Sequence, residues 1–290
     1  MPGADRQPLA VFRLDASPEI GGGHAARCAA LATALATLGW DCAIAGAPET
    51  PAASPALGRW RFVPLLPAVR DGGPDEAAAI AAATGPADLL VVDHYGLGAA
   101  FETAGRRFAR SILVIEDLPD RVHDCDLLLD PALDRAPGDY RARVPDGCRL
   151  LLGPAWAPLR PEFAARRPAI GRSAGPLRRL LVNMGATDPA NVTAVVLDGL
   201  ERSRLADGTR VDVALTSAAP HLADVRRRAA ASRLQVTVLA DAPSMAALMA
   251  DADLAIGAAG SASWERCCLG LPTVLLMVAE NQRANADALA

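Results

Sequence analysis

A histidine placed directly behind three glycines is the strongest chemical signal in this sequence. The stretch Leu9-Ala10-Val11-Phe12-Arg13-Leu14-Asp15 gives out into a polar turn, which is followed by Gly21, Gly22, Gly23 and His24. Residues of these types in this order predict a strand, a loop and a helix whose first turn carries an imidazole. Glycines remove Cβ bulk and let the backbone approach a ligand. The free N–H groups of a helix start attract anions. A base beside such a backbone suits proton transfer next to a phosphate. Asp15 can orient His24 or bind the substrate. It shares a strand face with Arg13, so an Arg13–Asp15 ion pair is the alternative.

Further polar groups stand where other apolar runs end. Val91-Val92-Asp93-His94-Tyr95-Gly96 puts three of them at one strand end, and Ile115-Glu116-Asp117 closes another in acids. His94 is either a base or a hydrogen-bonded structural histidine; His123 and His221 lie in polar, turn-like surroundings and read as non-catalytic. In the second half, Gly185 and Thr187 leave a strand just before a helix, as a phosphate-holding turn or a plain one. The stretch Gly257-Ala258-Ala259-Gly260-Ser261-Ala262-Ser263-Trp264-Glu265 is stronger. Its backbone N–H groups and the Ser261 and Ser263 hydroxyls can meet a diphosphate. Glu265, one turn into the helix, can accept from two ribose hydroxyls or cap the helix start. Asn281 and Gln282 offer paired donors and acceptors for sugar hydroxyls, or a cap for the last helix.

Positioning such groups requires strands that end beside helix starts. Strands are expected near 9–14, 41–45, 61–65, 89–92, 111–115 and 127–129. Helices are expected near 24–38, 75–84, 99–109 and 137–144. After a polar, turn-rich linker at 164–176 the alternation resumes. Strands near 179–183, 211–215, 235–239, 254–256 and 273–277 alternate with helices near 190–201, 222–231, 244–250 and 261–269. Leu31, Leu35 and Leu38 fall on one side of the first helix. The expected fold is α/β, with two Rossmann-like domains and a cleft between them. The first, 1–163, carries the histidine; the second, 177–290, carries the later glycine loops. In such sheets ligands sit beyond the carboxyl ends of strands.

Composition narrows the function further. The 290 residues are 51% apolar, with a net charge of −4 and both signs interspersed. That argues against a nucleic-acid surface, which needs a basic stripe. Aromatics at 4% are too few for base-stacking platforms. No apolar run is long enough to span a membrane, and Met1 to Pro8 lacks a signal-peptide core, so a cytoplasmic protein is expected. The six cysteines form no Cys-x-x-Cys pair and no ligand cluster. They are expected to be reduced and mostly buried.

Several blocks together resemble the UDP-sugar hydrolase family of pseudaminic-acid biosynthesis. They are Arg13-x-Asp15-x-Ser17-x-x-Ile20-Gly21-x-Gly23-His24-x-x-Arg27-Cys28, Asp93-His94-Tyr95-Gly96 and His123-x-Cys125-Asp126. Gly153 with Leu159-Arg160-Pro161-Glu162-Phe163, then Met184-Gly185-x-Thr187-Asp188 and the Glu265 helix, continue the match. Each motif is short, but their order along nearly the whole chain is specific. The chain also looks like the wider GT-B group, including the glycosyltransferase that attaches N-acetylglucosamine during peptidoglycan assembly. The family removes UDP from UDP-2,4-diacetamido-2,4,6-trideoxy-β-L-altropyranose. The resemblance implies a metal-independent hydrolase without a cofactor, acting on a small-molecule UDP-sugar.

By that likeness His24 is the base, and Tyr95 and Asn281 support water or sugar. Arg27 and Asp93 fall in matched blocks on the sugar side, and Glu265 corresponds to the ribose-binding acid. Water attacking the anomeric carbon would release UDP with inversion. A GT-B UDP-sugar-dependent glycosyltransferase is the alternative, and a noncatalytic UDP-sugar sensor is a third reading. One departure concerns Ala290, where the sequence stops inside what reads as a new helix. GT-B chains usually continue until that segment packs on the other domain. Either this is a short member or the segment is cut off, and the last part of the sugar site falls there.

Overall fold

The computed structural model describes residues 6–17, 22–53, 55–167 and 176–290. Gly21 and residues 168–175 of the expected linker lie outside them. Apart from the glycine segment before the first helix, the chain divides by its contacts into one unit ending at Arg160 and another comprising Pro161–Ala290.

The first unit runs β1 (Leu9–Leu14), α1 (Gly23–Thr37), β2 (Asp41–Gly46), α2 (Thr50–Ala53), β3 (Arg61–Pro64), α3 (Pro74–Thr84), β4 (Ala87–Asp93), α4 (Ala99–Gly105), β5 (Ala109–Ile115), β6 (Leu127–Asp130) and β7 (Arg149–Leu152). Its strands form one parallel sheet in the order β3-β2-β1-β4-β5-β6-β7. The chain winds outward from β1 in one direction and then from β4 in the other, so the two carboxyl ends at the centre flank the switch point where such sheets take ligands.

Side-chain alternation sorts the two faces of this sheet. Phe12, Leu14, Val91, Leu113 and Ile115 pack with Ala25, Cys28, Ala29 and Ala32 of α1. Val11, Leu90, Val92, Ile112 and Val114 pack on the other face with Ala77 and Ile80 of α3 and Phe101 and Ala104 of α4. The small residues of α1 are what bring that helix close to the strands. The expected leucine stripe is not its buried face: Leu31 and Leu35 lie at the margin of the core, and Leu38, beyond the helix end, is 74% exposed. Three other local expectations shift. The helix expected to 109 stops at Gly105, because Ala109 already pairs with Ala87 in the sheet. The helix expected at 137–144 is a single 3-10 turn, Pro137–Asp139. The edge strand β7 was not expected; only four residues long, it offers little pattern.

The second unit runs α5 (Pro161–Arg166), β8 (Arg179–Asn183), α6 (Val192–Glu201), β9 (Arg210–Leu215), α7 (Leu222–Ala231), β10 (Gln235–Ala240), α8 (Met245–Asp251), β11 (Leu254–Ala258), α9 (Ala262–Cys268), β12 (Thr273–Leu276) and α10 (Arg283–Leu289). Its parallel sheet has the order β10-β9-β8-β11-β12, the same winding as the first. Helices α6 and α7 cover one face through Val196, Leu197, Leu200 and Val225. The expected first-domain boundary at 163 falls inside α5, which packs with this unit. Phe163 is fully buried, and Ser244 Oγ donates to Glu162 Oε2 at 2.7 Å. Among the described residues no helix is long and apolar enough to cross a membrane.

Gly46, at the end of β2, shows how tightly the strand ends are drawn together. A Cβ there would lie 2.1 Å from the Leu14 carbonyl oxygen, and main chain cannot swing aside. Gly46→Ala is therefore expected to lower stability by about 1–3 kcal/mol, measured by urea unfolding against wild type.

Candidate active site

At the carboxyl end of β4, one buried carboxylate gathers the first turns of α1. Asp93 is fully buried and ion-pairs with His24 Nδ1. Arg27 clasps it in a fork, Nε to Oδ2 at 2.7 Å and Nη2 to Oδ1 at 2.6 Å, and the Cys28 thiol donates to Oδ2 at 3.3 Å. Residues 24, 27 and 28 stand three and four apart, on one helix face, and Asp93 shares the Val91 face against which α1 packs. Burial alone would raise the Asp93 pKa, but the Arg27 charge and then His24 outweigh it and hold the carboxyl well below the usual range. Burial also opposes the Arg27 charge, and Asp93 reverses that, raising the Arg27 pKa. Burial and the neighbouring Asp93 push the Cys28 thiol up, so it stays a donor.

The ring of Tyr95 meets that of His24 edge-on, with centroids 4.7 Å apart and planes at 77°. Its hydroxyl donates to Asp117 Oδ2 at 3.1 Å, and Arg27 Nη1 reaches the same oxygen at 3.1 Å. Asp117, just past β5, therefore closes the group. Its place was legible only as an acid ending a strand; its face follows from Ile115, two residues earlier, which packs against α1. Asp93 holds Nδ1 of His24 and so fixes the plane of the ring.

Asp15 does not orient His24. Strand register puts Arg13 opposite Val92 and Leu14 opposite Asp93, so the next pair is Asp15 and His94. Both point to the α3 side, away from α1. Arg13 Nη1 donates to Asp15 Oδ1 at 2.7 Å, the Ala47 N–H to the same oxygen at 2.8 Å, and Arg70 Nη2 to Oδ2 at 2.9 Å. His94 Nε2 lies 3.1 Å from Oδ2, while its Nδ1 accepts from the Gly96 N–H at 3.0 Å. Burial would raise the Asp15 pKa; the hydrogen bond with His94 and the Arg13 charge lower it well below the carboxylate range. Arg13 also reaches Glu76 Oε1 at 2.5 Å. Asp15, Arg13, Arg70 and His94 form one hydrogen-bonded network on the opposite face. His123 is likewise buried against Glu102, Nδ1 to Oε1 at 2.8 Å.

In the second unit both glycine loops leave the central strands β8 and β11. Gly185 has φ +99°, a conformation that glycine adopts without strain, and Thr187 is buried beside it. The helix beyond starts at Val192, and its first N–H groups are already engaged. Asp188 Oδ1 accepts from Val192 N at 2.9 Å and Oδ2 from Thr193 N at 2.8 Å. The Val192 and Thr193 amides are therefore already satisfied within the chain. After β11, Gly260 and the half-buried Ser261 precede α9, and a Cβ on Gly260 would lie 3.6 Å from Gln282 Nε2. Gln282 Oε1 accepts from the Val278 N–H at 3.1 Å. Glu265 is half-buried on α9, and Asn281 is exposed in the turn ahead of α10.

Arg266 is the residue sequence reasoning missed. It is 2% exposed, its Nη2 donates to Ala258 O at 2.7 Å and Ser263 Oγ at 3.0 Å, and burial lowers its pKa to about 10. Ser263 is thus committed to the loop's own support. A Cβ on Gly257 would come within 2.4 Å of Arg266 Nη1, so the glycine makes room for the guanidinium. A glycine at the end of β11 with an arginine nine residues on, in the next helix, was the available signal. Among the described residues no group of three or more His, Cys, Asp or Glu stands ready to hold a metal ion.

No protein-family model matches the chain. It is 23% identical over 283 residues to the UDP-2,4-diacetamido-2,4,6-trideoxy-beta-L-altropyranose hydrolase of Campylobacter jejuni, covering 97% of this chain and 95% of that protein. It is 31% identical over 163 residues to the spore coat polysaccharide biosynthesis protein SpsG of Bacillus subtilis, covering 56% of this chain. That match spans 48% of SpsG, about half its length. The chain thus resembles the hydrolase family along nearly its whole length. Among solved structures it is similar to MurG of Acinetobacter baumannii, with a TM-score of 0.59 at 13% identity over 98% of this chain and 83% of that one. The UDP-GlcNAc 2-epimerase of Neisseria meningitidis matches with a TM-score of 0.56 at 12% identity over 97% and 85%. The fold is that of GT-B proteins, with two Rossmann-like domains.

Asp93→Ala is expected to cost about 3–5 kcal/mol, because it strips the buried Arg27 charge of its bidentate partner and leaves it only the Asp117 contact. Urea unfolding at neutral pH measures this. The native pKa of Asp93 is depressed, so its stabilisation is complete above the unfolded value of about 3.9 and is lost as pH falls towards the folded value. The stability gap between wild type and Asp93→Asn is therefore expected to shrink below about pH 4.

Proposed function

We propose that this chain is an enzyme acting on a UDP-linked sugar, and that it hydrolyses the glycosidic bond of a UDP-2,4-diacetamido-2,4,6-trideoxy sugar. The observation that carries the reading is the imidazole of His24, held at Nδ1 by a buried, arginine-clasped carboxylate at the switch point of a parallel sheet. An imidazole so anchored is oriented to take a proton at Nε2. The near full-length similarity to the Campylobacter jejuni hydrolase supports this substrate class.

In this mechanism water attacks the anomeric carbon and gives its proton to His24 Nε2. The bond from that carbon to the β-phosphate oxygen breaks, and UDP leaves with the electron pair. Direct attack inverts the anomeric centre. Asp93 fixes the ring and faces the positive charge that develops on it. Tyr95 limits ring rotation from the edge and is itself held by Asp117. In the second unit, Gly260 and Ser261 present backbone and hydroxyl to the diphosphate, and Glu265 takes the ribose hydroxyls. Gly185 and Thr187 serve through loop backbone and hydroxyl, while Asn281 and Gln282 border the sugar. The scheme needs no metal or organic cofactor.

Incubation with UDP-sugars in heavy-oxygen water, with no acceptor added, tests the reading. UDP release with label in the sugar is the expected result. Label in UDP would require attack on phosphorus, and release only with an added hydroxyl acceptor would make the chain a glycosyltransferase. His24→Ala is expected to lower kcat by about 10²–10⁴-fold with UDP affinity retained. Unchanged release by that variant would remove His24 from the chemistry.

A further inference from the structure

The motif His123-x-Cys125-Asp126 plays no part in this chemistry, yet it places one thiol against another. Cys125 Sγ and Cys148 Sγ lie 3.6 Å apart, 23 residues apart in sequence. Register accounts for the approach: Leu127 of β6 pairs with Arg149 of β7, and the Arg149 N–H donates to Asp126 O at 2.9 Å. The two cysteines sit just before these paired residues, at the amino ends of adjacent strands. Cys125 is buried, whereas Cys148 lies on a partly exposed turn.

We propose that Cys125 and Cys148 form a reversible disulfide when the protein meets hydrogen peroxide. A disulfide needs its sulfurs about 2.05 Å apart, so the pair must close by roughly 1.5 Å. The Cys148 turn can supply that movement. The Cys148 thiolate attacks the peroxide O–O bond, giving a sulfenic acid and, after protonation, one water. The Cys125 sulfur then attacks the sulfenic sulfur, expelling a second water. Two thiols lose two electrons and two protons, and the peroxide becomes two waters. The division of roles follows exposure: the accessible sulfur reacts first and the buried one resolves it. The thiol–thiol hydrogen bond supports that order, because it lowers the Cys148 pKa against the effect of burial and raises that of Cys125. Linked, the cysteines would tie the edge strand β7 to β6.

Trypsin separates the two sites cleanly, with Cys125 in the fragment 122–135 and Cys148 in 144–149. The full chain is treated with a few equivalents of hydrogen peroxide, alkylated without reduction and digested. The expected product is a 122–135/144–149 conjugate that a dithiol reductant releases. The midpoint of thermal unfolding of the intact oxidised protein should exceed that of the reduced protein by about 3–6 °C, and Cys148→Ser should abolish both effects. Because Cys148 lies on a turn, that variant is expected to fold. In Cys125→Ser, dimedone should trap the sulfenate on Cys148. Oxidation confined to Cys267 or Cys268, or two separately alkylated fragments after peroxide, would overturn the proposal.

Discussion

A carboxylate sealed from water must be met by donors that never leave it, and Asp93 imposes that condition on the first unit. Its burial is unfavourable unless the charge is paired and hydrogen-bonded. Arg27, His24 and Cys28 supply the donors, all from the first turns of one helix. The constraint acts both ways. The helix cannot rotate or slide without stranding the charge, and the histidine ring cannot turn without giving up Nδ1. Rigidity of the imidazole and stability of the sheet–helix contact are therefore one property. The alanines of α1 serve it as well, since bulkier residues at 25, 29 and 32 would hold the helix too far from β4.

Much of this was legible in the residues themselves. The spacing of His24, Arg27 and Cys28 states that they share a helix face, and β1, β8 and α7 lie where the strand–helix alternation put them, to the residue. What was not legible was which acid the histidine would meet. Asp15 and Asp93 are equally placed at strand ends, and only pairing and parity separate them. Leu14 lies beside Asp93, so Asp15 belongs to the opposite face with His94. Parity could have been counted from Phe12 and Val91, but the face covered by α1 had to be known first. The leucine pattern pointed to the margin of the buried face and not to its centre, because alanine carries little hydrophobic signal even when it forms the contact.

In the second unit the glycines were informative for different reasons. Gly185 marks a backbone conformation with positive φ. Gly257 marks a close approach by Arg266 from the following helix, a contact between residues nine apart that no periodicity exposes. An arginine so enclosed holds the Gly260–Ser261 turn by bonds to Ala258 and Ser263. The sheet topology places this turn and the Gly185 loop on adjacent central strands, so the second unit repeats the arrangement of the first with different side chains.

Asp188 gives the second unit an asymmetry of its own. Its two oxygens sit on the amides of Val192 and Thr193, where an incoming phosphate would otherwise dock. The helix behind the Gly185 loop is thus a receptor already filled by a tethered ligand. A free anion competing for it would have to evict a carboxylate whose effective concentration is fixed by the chain, and would then share a confined space with that displaced charge. That occupancy closes the two amides to polyanions in cis.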